Sequence, residues 1–381
     1  MSVLGALFLL PAGIGIVYLC LAAVMVARLS LRRAPTVAAV PSVTILKPLH
    51  GAEPGLFENL ASFARQHHAA PVQIVLGVQN PADPAIAVAR ELQAAYPALL
   101  IDLVIDGRQH GTNRKVSNLV NMMGAARHEV LVLADSDMRV GPTYLAGLVA
   151  ELARPGVGAV TCPYHGLPVG HLWSKLSGLG IDTHFLPGVA LGSGLGAAEP
   201  CMGSTIALRR DTLDRIGGLP ALADALADDY ELGARVRALG LSIALTPFTI
   251  GHVCPERSLG ELARQELRWQ RTVRQVAPAG HLGSVLTHPL PFAIAALAVD
   301  PGPVAAGILL TALAARVGLC LAVERGFSLR THPYWLVPAR DLLSFALFVA
   351  SFLGRGVSWR GYRYEVARSG ALIPKTRPDP L

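Results

Sequence analysis

The chain has 381 residues, of which 52% are hydrophobic, a mean hydropathy of +0.45 and a formal net charge of +7. That hydropathy is too high for an ordinary soluble domain, yet the middle of the chain is normally polar, so a water-facing unit tied to membrane segments is expected. The positive charge is scattered, with no basic stripe interleaved with aromatics. It points to lipid headgroups and an anionic substrate, and no nucleic-acid partner is expected.

Residues 3–27 are almost wholly apolar and long enough to cross a bilayer. A cleaved signal peptide needs a basic stretch before its apolar core, and none is present. Instead Arg28, Arg32 and Arg33 follow. The positive-inside bias then predicts a signal anchor over residues 1–33 with its C-terminal end in the cytosol.

Residues 42–283 read as one α/β domain. Strand-length apolar runs at 43–49, 72–78, 101–105 and 130–134 alternate with helical patterns at 55–66, 84–96 and 115–126. Continuous apolar strands alternating with helices predict a mostly parallel sheet with helices on both faces.

A membrane region is expected over 285–353. Segments 304–323 and 334–353 are candidate spans, although Arg316, Arg340 and Asp341 interrupt them. Segment 290–299, bounded by Pro289 and Pro301, is short and is expected to lie at the interface or re-enter. The tail, 354–381, carries Arg355, Arg360, Arg363, Arg368, Lys375 and Arg377 and is expected to be cytosolic. An even number of spans between the α/β domain and this tail would satisfy both ends, while Arg325 and Arg330 in the intervening loop argue against that topology. The cysteines, Cys20, Cys162, Cys201, Cys254 and Cys320, show no CxxC spacing, which points to neither a disulfide framework nor a zinc site.

Ligands of open parallel sheets bind beyond the carboxyl ends of the strands. Asp135 and Asp137 leave the strand 130–134 at such an end. Two carboxylates one residue apart can converge on Mg2+ or Mn2+ and a diphosphate, although an acidic turn has the same appearance. Asp83 follows the second strand and, before Pro84, also suits a helix N-cap. Lys115 and Asn118, in "HGTNRKVSNLVNMM", can contact a diphosphate or cap the helix. Asp228 and Asp229 open a helix, where acidic residues are favoured in any case. Gln265, Arg268 and Trp269 share one face of a basic amphipathic helix that also suits a membrane surface. His50, His110, His165 and His171 lack metal-ligand spacing. Walker, GxGxxG and GxSxG signatures do not occur, which excludes the kinase, dehydrogenase and hydrolase templates.

Taken in order, Asp83, then Asp135 with Asp137, then Asp229, then "QELRW" resemble the D, D, D, QxxRW series of family 2 and family 21 glycosyltransferases. "DPAIAVAR", "GTNRKVSNL", "LADDYELGARVRALG" and "VSWRGYRY" are similar to the ceramide glucosyltransferase family. "VTILKPLHGAEPG" and "RWQRTVRQVAPAGHLGSVLTHPLP" resemble its bacterial hopanoid-biosynthesis branch, as does the presence of Asp137, where animal ceramide enzymes lack the second aspartate. The resemblance runs from Val43 to about Tyr364. It implies a Rossmann-like GT-A fold, a UDP-sugar donor and inverting transfer to a lipid hydroxyl at the membrane.

By that resemblance Asp229 is the base, with Asp228 supporting or replacing it. Asp137 and Asp135 hold a divalent cation. Asp83, Asp135, Lys115 and Asn118 bind the donor, with Asp83 at the uridine and Asp135 also near the ribose. Gln265, Arg268 and Trp269 line the diphosphate and acceptor side. The expected reaction moves N-acetylglucosamine from its UDP conjugate to bacteriohopanetetrol. The alternative is glucose to ceramide, and a polysaccharide synthase is disfavoured because it needs more spans. The expected location is a bacterial inner membrane, multi-pass, with the catalytic domain cytosolic.

Overall fold

The computed structural model describes residues 3–35, 40–330 and 332–354, together with the backbone of three short strands beyond them. The chain opens with helix α1 (Val3–Leu31). It continues through β1 (Val43–Pro48), α2 (Leu56–Ala64), β2 (Val72–Val78), α3 (Ala85–Ala95), β3 (Leu100–Ile105), α4 (Arg114–Met122) and β4 (Val130–Ala134). These elements match the expected alternation, with ends shifted by a residue or two where helices fray. Then come β5 (Met138–Arg139), α5 (Tyr144–Leu152), β6 (Val157–Thr161), β7 (Tyr164–Pro168), α6 (Leu172–Gly180), α7 (Leu186–Gly194) and β8 (Thr205–Arg209). α8 (Arg210–Arg215), α9 (Asp228–Ala238), β9 (Ser242–Leu245), β10 (Ile250–Cys254) and α10 (Leu259–Val276) complete the α/β part.

The central sheet has seven strands in the order β3-β2-β1-β4-β8-β6-β9. The pairs β2–β3, β1–β2, β1–β4 and β6–β9 are parallel, and β8 runs antiparallel to both neighbours. The fold is therefore mixed α/β with a parallel-rich sheet. Every residue of β1 and β4 is buried, because helices cover both faces. On one face Val43, Ile45 and Val132 pack against Leu60 and Phe63 of α2 and Leu148 of α5. On the other, Leu46, Leu131 and Leu133 pack against Leu119 of α4 and Val236 of α9. Each such side chain contributes about 1.5–3 kcal/mol by leaving water. From β1 the chain steps outward through β2 and β3, then returns to the opposite side as β4. That reversal opens a crevice at the carboxyl ends of β1 and β4. A small sheet, β5-β10-β7, closes over its far side.

After α10 come α11 (Pro278–Gly283), α12 (Pro289–Val299), α13 (Pro303–Phe327) and α14 (Val337–Ser351). α1 and α13 are long and apolar enough to cross a membrane. Segments Pro278–Thr287 and Pro289–Val299 meet at a 55° bend and satisfy that test only together, as a broken span or a re-entrant loop. Leu19, Ala22 and Val26 of α1 pack with Leu186 of α7 and with Leu319 and Val323 of α13.

The expected span 334–353 differs. A turn, Tyr334–Leu336, precedes α14, which has 15 residues, short of the roughly 20 a bilayer requires. Its charges have protein partners: Asp341 Oδ2 accepts from Arg316 Nε at 2.9 Å, and Arg340 makes a bidentate pair with Glu266 at 2.7 and 2.6 Å. In the tail, Arg355, Arg360, Arg368 and Arg377 lie outside the described residues. Its described backbone forms β11 (Gly356–Trp359), β12 (Tyr362–Val366) and β13 (Leu372–Thr376), an antiparallel sheet.

Candidate active site

A cavity of about 850 Å³ sits at the crevice, lined by charged and apolar side chains. Asp135 and Asp137 come from the turn after β4, Lys115 from α4, and Asp228 and Asp229 from the first turn of α9. Gln265, Arg268 and Trp269 of α10 line the same cavity. The same α10 face continues with Thr272, Val273 and Val276. That spacing is one helical stripe. Glu266 points away from it, to Arg340.

Lys115 is the electrostatic centre of the acidic wall. Its ammonium lies 2.9 Å from Asp135 Oδ1 and 3.4 Å from Asp228 Oδ2. Burial works to discharge it, but Asp135, Asp228 and Asp229 outweigh burial and hold its pKa above the usual range. The helix cap is supplied by Asn113, whose side chain accepts from the Val116 N–H at 3.1 Å and donates to Asp228 Oδ1 at 3.3 Å. Asp229 Oδ2 accepts from the Gly203 N–H at 2.7 Å and Oδ1 from the Tyr230 N–H at 2.8 Å. Burial and the neighbouring Asp228 nonetheless raise the Asp229 carboxyl to about 6, against the opposing pull of Lys115. A carboxylate so tuned, half-buried on a cavity wall, suits proton abstraction near neutral pH.

Asp137 differs from its partner. Its Oδ1 is buried and has no hydrogen-bond partner, as is the case for Nδ1 of buried His252. That nitrogen lies 3.7 Å from Asp137 Oδ2. A buried carboxylate oxygen without a hydrogen-bond partner suits a cation. Among the described residues no group of three or more His, Cys, Asp or Glu side chains encloses a metal. Asp137 and Asp135, both on the cavity wall, fit a divalent cation held by one or two carboxylates and completed by ligand phosphate oxygens.

Two expected donor residues stand elsewhere. Asp83 does not line the cavity. It accepts from the Gly51 N–H at 2.9 Å and the Ala85 N–H at 2.9 Å, and so ties the loop after β1 to the start of α3. Its capping role is present, shifted by one residue, because α3 begins at Ala85. Asn118 is buried behind β2, where its Nδ2 donates to the Gly77 carbonyl at 2.8 Å. Conversely, His252 and Tyr164 line the cavity without any sequence signal beyond a polar residue in a buried strand. The His252 ring lies edge-on to Trp269 at 5.7 Å and tilted against Tyr164 at 5.5 Å. Arg237 and the loop containing Cys201 and Gly203 also contribute walls.

The chain is 25% identical over 210 residues to ceramide glucosyltransferase 1 of Caenorhabditis elegans, covering 54% of this chain and 44% of that protein. It is 27% identical over 141 residues to the ceramide glucosyltransferase of Gibberella zeae, covering 34% and 27% respectively. The matched stretches thus span less than half of those relatives. Among solved structures, the mannosyltransferase PcManGT from Pyrobaculum calidifontis, in complex with GDP-Man and Mn2+, superposes with a TM-score of 0.58 at 21% identity. The superposition covers 92% of this chain and 99% of that one, a likeness of fold. The profile of Glycosyl transferase family 21 matches residues 7–372, nearly the whole chain, and the chain belongs to that family.

Proposed function

We propose that this chain is a membrane-bound inverting glycosyltransferase that moves one sugar from a UDP-sugar to the hydroxyl of a membrane lipid. The observation that carries the reading is the mixed lining of one cavity: carboxylates and a lysine from the turn after β4, α4 and α9, together with an apolar and basic face of α10. Asp229 takes the acceptor proton. Asp228 and Lys115 set its charge state. Asp137, with Asp135, holds Mg2+ or Mn2+, which when bound neutralises charge on the departing diphosphate. Arg268 adds a fixed positive charge on the acceptor side. Gln265, which accepts from Arg268 at 3.3 Å, holds its guanidinium toward the cavity. Trp269 walls the sugar.

Val273, Val276 and Ala277 extend this surface for an apolar acceptor, and the long apolar helices α1 and α13 keep the enzyme where such a lipid resides. Arg28 in the last turn of α1, with Arg32 and Arg33 just beyond it, supports a cytosolic catalytic domain, in a bacterial inner membrane. Asp83 and Asn118 serve the donor side indirectly, by holding the loop after β1 and the strand β2.

The finer reading is N-acetylglucosamine transfer to bacteriohopanetetrol, as the sequence resemblance implies. Similarity to ceramide glucosyltransferases supports a second reading, glucose transfer to ceramide. Mass spectrometry of lipids from cells with and without the protein tests both. Loss of a hexosamine-linked hopanoid supports the first and loss of a glucosylceramide the second. An unchanged glycolipid profile removes both.

A further inference from the structure

Beneath the acidic turn lies a charged residue that the chemistry above does not use. Lys47, near the carboxyl end of β1, is fully buried. Its Nζ lies 3.6 Å from the centroid of the Phe63 ring and donates to the carbonyl of Asp135 at 2.7 Å. The other carbonyls of the turn are also taken. Asn59 Nδ2 donates to the Ser136 carbonyl at 3.3 Å and the Val253 N–H to that of Asp137 at 3.0 Å. The Ser136 hydroxyl donates to Glu53 at 2.8 Å, and Lys115 takes the Asp135 carboxylate from the cavity side. The turn is thus pinned along its backbone, while Asp137 Oδ1 is left with no partner among the described residues. Lys47 is the only side chain with an amine among the three groups that hold these carbonyls. Burying it is unfavourable, and burial pulls its pKa down to about 7 against Asp135, Asp137 and Glu53. An apolar side chain would fill the same space beside Phe63 without that penalty.

We infer that Lys47 is a positioning residue: by holding the Asp135 carbonyl it fixes the turn 135–137 so that Asp137 is presented to a divalent cation bound with a nucleoside diphosphate. The hold is donated by an ammonium or a neutral amine alike, so it does not depend on titration. The inference rests on the donor-pocket reading of the cavity.

The test uses the full chain in detergent and measures binding of UDP with Mn2+ by calorimetry, alongside the melting temperature without ligand. The wild type is expected to bind, and Lys47→Met to melt near the wild-type temperature, because relief of the buried amine offsets the lost hydrogen bond, yet bind UDP–Mn2+ about tenfold more weakly. Lys47→Gln, which keeps a donor on a shorter stem, is expected to fall between the two. A folded Met or Gln variant that binds as tightly as the wild type overturns the inference. So does failure of both variants to fold, which would make the lysine part of the core alone. Absence of UDP–Mn2+ binding by the wild type itself overturns the donor-pocket reading, and this inference with it.

Discussion

Asp229 is raised to about 6 by burial and by Asp228, and this has consequences of opposite sign for activity and stability. Its ionised form is the base, so kcat is expected to fall as pH drops through about 6, as a pH–rate profile would show. Because the folded-state pKa lies above the ordinary carboxylate value, the stabilising contribution of its protonated form is complete below the unfolded pKa. It is lost as pH rises through about 6. Asp229→Asn is therefore expected to raise the melting temperature at pH 7.5 while lowering turnover by about 10²–10⁴-fold, with UDP binding retained. Near-normal turnover in that variant would remove Asp229 as base. Asp137 is expected to behave in the reverse way. Asp137→Ala removes the partnerless oxygen, so the thermal stabilisation conferred by UDP–Mn2+ should be largely lost while the unliganded protein melts normally. A full ligand-induced shift in that variant would exclude Asp137 as the metal ligand.

Among elements, α10 is decisive because its two faces serve different ends. One lines the cavity, and the other is strapped to α14. Glu266 meets Arg340 near the start of α14, while Arg274 donates to the Ser351 and Gly354 carbonyls at its end. The second contact satisfies orphan helix carbonyls and opposes the negative end of the helix dipole. Glu266→Ala leaves Arg340 buried without its carboxylate and is expected to destabilise by about 3–5 kcal/mol. The pair Glu266→Leu with Arg340→Met should recover most of that loss. Chemical or thermal unfolding in detergent distinguishes the two, and equal losses would mean that the ion pair does not set the helix packing. Arg340, one of the charges that interrupt the expected span 334–353, thus holds the cavity-lining helix.

At the scale of the molecule, the apolar helices and the sheet domain are joined by specific contacts. Arg32, at the end of α1, pairs with Glu151 of α5 at 3.0 Å. Gly15 lets α1 approach the start of α12 so closely that a Cβ there would lie 2.7 Å from the Leu286 carbonyl and 2.9 Å from Pro289. Gly15→Val is expected to push these segments apart, at about 1–3 kcal/mol. The measurement is the detergent melting temperature, and an unchanged value would mean that the approach is not rigid.

Much of the architecture was legible because it depends on local pattern. Continuous apolar runs alternating with helices specify a sheet covered on both faces, and the carboxylates at strand ends face the crevice that such a sheet must open. Asp135 and Asp137 line the cavity for that reason, and Lys115, Asp228, Asp229, Gln265, Arg268 and Trp269 join them there from helices. The remainder depends on which way a side chain turns once the chain is packed. Asp83 and Asn118 are spent on backbone groups, since polar groups buried near strand ends must first satisfy their neighbours. His252 and Tyr164 reach the cavity only because β10 and β7, distant in sequence, pair over the crevice. Lys47 is one polar residue in the apolar run 43–49, and only the fold puts the Asp135 carbonyl within its reach. Sequence by itself determined the alternation of elements and the order of the acidic and QxxRW motifs, because periodicity and spacing are local properties. Tertiary structure alone decided which of those polar groups face the cavity and which hold it in shape, because that choice is made by long-range pairing.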